Sequence, residues 1–104
     1  MGLAKTKKNT GGRWYLYVLQ CGDDTLYTGI TNDLQRRVQL HNNGTASRYT
    51  RSRLPVVLIY QERCLGRSSA LKKEYAMKQL SRKEKDIYIA KKSKARRSRQ
   101  KLRE

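Results

Sequence analysis

The chain has no phenylalanine, one tryptophan, one proline and two cysteines. Its seven tyrosines and Trp14 must therefore supply the aromatic bulk of any core, and a buried tyrosine hydroxyl needs a partner. Cys21 and Cys64 are too few for a disulfide framework and lack metal-ligand spacing. That excludes a stapled secreted scaffold and makes a reducing compartment, the cytoplasm, the expected location. No apolar run approaches the roughly 20 residues of a membrane span. The N-terminus lacks the apolar segment of a signal peptide, so no membrane partner is expected. Met1-Gly2 with Thr6 fits a loose lipidation pattern, which a start codon followed by glycine explains as well.

Acidic residues are also scarce. Eight Asp+Glu stand against 25 Lys+Arg, for a net charge of +17. A surface this basic attracts nucleic acid or anionic lipid. Residues 91–104 hold 8 basic residues and 1 acidic one, yet residues 1–90 alone still carry +10. The body of the protein is therefore basic without its tail.

A chain of 104 residues, 37% apolar, bounds one domain with one modest core. Residues 1–12, polar, basic and ending in Gly-Gly, read as a flexible lead-in. Residues 13–90 read as the domain and 91–104 as a basic tail, either a fraying helical extension or disordered. "RWYLYVLQC" and "TLYTGIT" are strands joined by a turn at Gly22-Asp23-Asp24. Thr31 or Asn32 caps a helix starting at Asp33, and Gly44 stops it. "TASRYTRSR" is a basic connector with room for one helical turn. "LPVVLIYQE" is the third strand, with Pro55 at its start. Ser68 or Ser69 caps a second helix running to about Leu80. Ser81 and Glu84 form a capping box for a third. The order ββαβαα predicts an α+β fold, a three-stranded antiparallel sheet flanked by helices.

Two helical faces carry groups that a plain core face does not need. In the first helix Leu34, Val38 and His41 recur at the spacing of one helical face, and Arg37, one turn from both Leu34 and His41, completes the same core-facing stripe. Gln35, Arg36 and Gln39 point elsewhere. A buried guanidinium costs several kcal/mol unless paired, so Arg37 should meet an anion or a tyrosine hydroxyl. A snorkelling arginine and a helix-end histidine are the plainer alternative. In the second helix Leu71 and Tyr75 share one side and Ala70 and Met77 flank it. Glu74, one turn from Ala70, Leu71 and Met77 alike, falls in the middle of that apolar arc. It needs a cation, a donor or a metal, and an ion pair with Lys78 one turn on would suffice. In the strands, a three-residue loop sets Cys21 opposite Thr25. That register puts Tyr17 and Tyr27 on one side of the sheet, with Gly29 opposite Tyr17 as an open floor.

"YLY" (15–17), "YTG" (27–29), Arg37 ten residues after Tyr27, then His41 and Glu74 resemble the GIY-YIG nuclease superfamily, in particular its small single-domain bacterial members. The resemblance covers residues 13 to about 90. It implies phosphodiester hydrolysis with one divalent ion, Mg²⁺ or Mn²⁺. Carried over by position, Glu74 would hold the metal and Arg37 would neutralise the scissile phosphate. Tyr17 would help deprotonate the attacking water, Tyr27 would bond or orient the phosphate, and His41 would support Tyr17 or the leaving oxygen. Tyr15 stands where the first tripeptide has glycine and Thr28 where the second has isoleucine, and a late asparagine of many members has no counterpart.

The expected activity is that of an endonuclease on DNA, structure-selective or weakly specific, because no separate recognition domain is present. Arg36, Arg48, Arg51, Arg53, Lys78, Arg96 and Arg97 are the candidate phosphate contacts. The alternative is a non-catalytic nucleic-acid-binding protein that keeps the fold, since charge predicts binding and not cutting.

Overall fold

The computed structural model describes residues 13–103, with side chains through Lys94. The lead-in 1–12 and the side chains of Arg96 and Arg97 lie outside the described residues. Strands β1 (Trp14–Gln20), β2 (Leu26–Thr31) and β3 (Val57–Cys64) form an antiparallel sheet in the order β2-β1-β3. Helices α1 (Leu34–Asn42) and α2 (Arg48–Arg51) lie between β2 and β3, and α3 (Arg67–Lys78) and α4 (Arg82–Arg103) follow β3. Among the described residues no helix is long and apolar enough to cross a membrane.

The central strand shows why helices cover both faces. Leu16, Tyr17, Val18 and Leu19 are all buried, so neither side of β1 faces water. Leu16 and Val18 join Tyr60, Cys64, Ala70 and Met77 in one core layer, with Trp14, Tyr88 and Ile89 packed against it. Tyr17, Leu19, Cys21 and Val56 form the other layer, against Leu34 and Val38 of α1. Alternation along β1 thus separates a layer under α3 and α4 from a layer under α1.

The hairpin has the register that its loop length requires. The amide of Cys21 donates to the carbonyl of Thr25 at 2.8 Å, and Tyr17 stands opposite Gly29. Asp24 takes the left-handed conformation, φ 70°, that three-residue hairpin loops use to close. A register irregularity between Val18 and Leu19 shifts the pairing with β3, so that Val18 faces Tyr60 while Leu19 faces Leu58.

Several boundaries differ from the sequence reading. The cap of α1 is Asp33, whose carboxylate accepts from the amide of Arg36 at 3.3 Å. Thr31 stays in β2, and its hydroxyl accepts from the amide of Asp33 at 3.0 Å. Gly44 ends the helix as expected, with φ +80°. The third strand starts at Val57, because the backbone of Val56 is taken by the Asn42 side chain. The Val56 amide donates to Oδ1 at 2.8 Å and its carbonyl accepts from Nδ2 at 3.1 Å. The N-cap of α3 is Gly66, without a side-chain bond, rather than Ser68 or Ser69. The Ser81–Glu84 capping box is present, with reciprocal bonds of 2.8 and 3.1 Å. The backbone of α4 is helical through Arg103, which makes the tail a helical extension.

The buried side of α3 differs from the apolar arc expected of it. Leu71 is 39% exposed and Tyr75 70% exposed, whereas Ala70 and Met77 are buried. The turn after Lys78 sends α4 back across the Lys73–Ala76–Met77 side, where Tyr88 and Leu80 close over it. The Leu71–Tyr75 side is left to solvent, and Glu74 sits at the edge of the buried stripe rather than inside it.

Candidate active site

The layer under α1 gathers most of the groups that the sequence singles out. Tyr17 projects from β1 and is 2% exposed. A Cβ built on Gly29 would lie 2.6 Å from its hydroxyl and 2.7 Å from Cζ. The floor expected at Gly29 is therefore covered by the Tyr17 ring, and glycine is required because no side chain fits beneath it. The phenol lies over β2, the edge strand, and its hydroxyl is carried to the margin of the sheet.

His41, in the last turn of α1, is 1% exposed. Its Nε2 lies 2.9 Å from the Tyr17 hydroxyl, and its Nδ1 lies 2.8 Å from Oγ1 of Thr50. Tyr27, two residues from Gly29 on the same face, packs edge-on against the imidazole with ring centres 5.0 Å apart. Tyr17 and Tyr27 are 6.5 Å apart centre to centre, so both phenols share one pocket with the histidine. Tyr49 extends the cluster outward, 5.9 Å from Tyr27, with the guanidinium of Arg53 stacked 3.9 Å above its ring.

Arg37 is half-buried one turn before His41 and has no ion pair among the described residues. Its charge reaches both Tyr17 and His41. Glu74 comes from the opposite layer, on α3, yet its charge also acts on the Tyr17 hydroxyl. Its helix packs on the same sheet that carries Tyr17, with contacts to both β1 and β2. The only ion-pair partner of Glu74 among the described residues is Lys78, at 3.2 Å. Glu62, by contrast, accepts from Tyr60 and Tyr88 at 2.8 Å each and pairs with Lys73, so three of its roughly four acceptor positions are taken.

The electrostatics oppose a free phenolate. Burial, then Tyr27, pushes the pKa of Tyr17 far above the ordinary tyrosine value, and Glu74 adds to this. Arg37 pulls the other way, but burial is the larger cause. His41 is pushed below the ordinary imidazole value, first by burial and then by Arg37, so it is held neutral. A neutral phenol facing a neutral imidazole is a hydrogen-bonded proton path.

The depressed His41 pKa carries a prediction about stability. Below about pH 6.5 the unfolded chain binds a proton that the folded chain refuses. Stability is thus full above that pH and falls as the pH drops toward the folded pKa. Urea unfolding of untagged protein at pH 7.5 and 5.5 should show the lower midpoint at 5.5. This histidine is the only one in the chain, so a His41→Gln variant should lose that part of the difference.

No group of three or more His, Cys, Asp and Glu able to hold a metal exists among the described residues. The site offers one carboxylate, Glu74, at 21% side-chain exposure. That fits a hard cation such as Mg²⁺, which keeps several waters and takes one or two carboxylates plus substrate phosphate oxygens. It does not fit a zinc centre.

Of the expected phosphate contacts, Arg36, Arg48 and Arg51 are exposed and carry no ion pair among the described residues. Arg53 is tied to Asp23 at 3.0 Å and to the carbonyl of Tyr49 at 2.9 Å, and Lys78 is held by Glu74. Thr50 and Tyr49 touch His41 and Tyr27 in this candidate site, and the sequence does not reveal them. They lie in a basic connector with no hydrophobic period, and only the four-residue α2 brings them against His41 and Tyr27.

Comparison with known proteins bears on this geometry. Residues 13–88 match the family model described as the GIY-YIG catalytic domain. A UPF0213 protein of Desulfotalea psychrophila is 56% identical over 69 residues, 65% of this chain and 63% of its own length. The chain therefore spans less than two-thirds of that relative. A UPF0213 protein of Bacillus pumilus is 49% identical over 75 residues, 72% of this chain and 76% of its own. Among solved structures, a protein of E. faecalis is 41% identical with a TM-score of 0.57, covering 81% of this chain and 88% of its own.

Proposed function

The chain belongs to the GIY-YIG family, and from that premise and the site geometry we propose that it is a divalent-metal-dependent endonuclease acting on DNA. The observation that carries this reading is the Tyr17–His41 contact of 2.9 Å, within electrostatic reach of both Arg37 and Glu74. Those are the parts that hydrolysis of a phosphodiester needs: a proton acceptor for water, a fixed cation for the phosphate and a carboxylate for a metal.

Tyr17 faces the attacking water and His41 stands behind it. As Tyr17 takes a proton from water it passes its own to Nε2 of His41, so no isolated phenolate has to form in a buried site. Arg37 stabilises the negative charge that spreads over the phosphate oxygens, and does so without the reorganisation that solvent would require. Tyr27 orients a phosphate oxygen through its hydroxyl. Glu74 would hold a divalent ion, which when bound would supply Lewis acidity at the phosphoryl oxygen and a more acidic water. Arg36, Arg48 and Arg51, with Arg96 and Arg97 on α4, supply backbone contacts that position DNA without reading its sequence.

The test is a cleavage assay over supercoiled, forked and single-stranded DNA and over RNA, with Mg²⁺, Mn²⁺ or EDTA. DNA products are expected with either ion and none with EDTA. Tyr17→Phe should lower kcat about 100-fold while binding persists, since only the proton path is cut. Salt-sensitive binding with no products on any substrate would replace this reading with that of a nucleic-acid binder on a nuclease fold.

A further inference from the structure

Thr50 is fully buried, at 0% exposure, in the short α2. It touches no solvent and belongs to no family tripeptide. Its Oγ1 lies 2.8 Å from Nδ1 of His41 and 3.4 Å from the carbonyl of Ser47. Ser47 caps α2, accepting at its hydroxyl from the amides of Tyr49 and Thr50 at 3.0 and 3.5 Å. Thr50 is thus anchored from its own backbone as well as from its side chain.

A hydroxyl has one proton, so its bonds can be assigned by counting donors. Suppose Thr50 donates to the carbonyl of Ser47, the usual back-bond of a helical threonine. Its oxygen then accepts from His41, and Nδ1 carries the imidazole proton. Nε2 is left bare and accepts from the Tyr17 hydroxyl. Every donor points one way along the chain Tyr17, His41, Thr50, Ser47, and each has an acceptor. The opposite assignment places the proton on Nε2, pointing at Tyr17. The Tyr17 proton would then have no acceptor among the described residues, in a side chain 2% exposed. Until substrate and its water arrive, an unmet buried donor costs about 1–3 kcal/mol, which favours the first assignment.

We propose that Thr50 is a positioning residue of the proposed hydrolysis, fixing His41 as the Nδ1–H tautomer so that Nε2 can receive the Tyr17 proton. This rests on the nuclease reading only for its catalytic consequence; the tautomer stands on the hydrogen bonds alone. The step balances without any further reagent. A water O–H bond breaks and its proton goes to the Tyr17 oxygen, while the Tyr17 proton moves to Nε2 and makes an imidazolium. The water oxygen bonds phosphorus, and the bond to the leaving oxygen breaks with its electron pair. Solvent protonates that oxygen, and the imidazolium later returns its proton to solvent through Tyr17. With the proton on Nε2 instead, the imidazole would be a donor toward Tyr17 and could not accept its proton.

The lone histidine makes the assignment directly readable. In ¹⁵N-labelled untagged protein at pH 7.5, long-range ¹H–¹⁵N correlation should show a protonated Nδ1 and a bare Nε2. A bare Nδ1 in the wild type overturns the proposal, whether or not the protein cleaves DNA. Thr50→Val keeps the shape and removes the acceptor, and should move the imidazole toward the Nε2–H form or a mixture. Its kcat should fall about 100-fold with KM changed little, as expected when a proton path is lost and substrate contacts are not. Thr50→Ser should restore both the wild-type tautomer and most of kcat, and it covers the case in which the valine variant fails to fold. An unchanged tautomer in Thr50→Val, or a serine variant as slow as valine with the correct tautomer, sinks the positioning role. If the wild type cuts no substrate, the nuclease reading fails and the spectra still decide the tautomer.

Discussion

Arg37→Ala is expected to lower kcat for DNA cleavage by about a thousandfold, the scale of effect that follows loss of a guanidinium at a transferring phosphoryl group. The size follows from its surroundings. Arg37 is half-buried beside Tyr17 and His41 and is not neutralised by any carboxylate among the described residues. Its charge already acts on Tyr17 and His41 before substrate arrives, so a cation stands beside the pocket when charge develops on the phosphate oxygens. Arg37→Lys should recover only part of the rate, since a point charge lacks the planar fork that spans two oxygens. Arg36 is the internal control. It precedes Arg37 by one residue but points to solvent. Arg36→Ala should leave kcat intact and reduce the salt dependence of DNA binding by about one phosphate contact. Single-turnover rates and salt titrations on the two variants separate the roles. Full single-turnover activity in Arg37→Ala would remove the arginine from the site and with it the reason its helix turns inward.

What is legible in the sequence depends on whether a short-range rule governs the element. The Tyr17–Gly29 pairing follows from a three-residue loop, because loop length sets hairpin register and a slip of one would send every side chain to the other face. The face of α1 is equally local: Leu34, Val38 and His41 share one stripe, and the structure buries that stripe against Tyr17 and Leu19. The face of α3 is not local. Leu71 and Tyr75 are as apolar as Ala70 and Met77, and only the return of α4 over Lys73, Ala76 and Met77 decides which pair is buried. Thr50 is invisible for a related reason. A threonine in a basic connector has no period to betray it, and its significance exists only once α2 stands against the end of α1. At Gly29 the sequence marks the residue but not its purpose: the expected open floor is filled by the Tyr17 ring.

Glu74→Gln is expected to abolish both divalent-ion binding at the site and detectable cleavage, while the thermal midpoint changes little. Among the described residues the carboxylate is the only acidic side chain from Asp or Glu whose charge reaches Tyr17, and glutamine keeps its shape while removing that charge. A divalent ion held through this one carboxylate would have no second protein ligand to fall back on. The structure also says what competes for it. Lys78 lies 3.2 Å from Glu74 along the same helix, a pair one turn apart at a side-chain exposure of 52% for the lysine. Such a pair contributes only a few tenths of a kcal/mol, so Lys78 can yield the carboxylate readily. Lys78→Met should therefore tighten Mn²⁺ binding about twofold, the factor that a few tenths of a kcal/mol implies. Paramagnetic broadening by Mn²⁺ reads both variants without a nuclease assay. Loss of broadening near Tyr17 and Ala70 in Glu74→Gln, set against stronger broadening in Lys78→Met, would place the cation at Glu74. Broadening unchanged in both would put the ion elsewhere. Lys78 would then be the permanent partner of Glu74, and the inward edge of α3 would carry an ordinary ion pair.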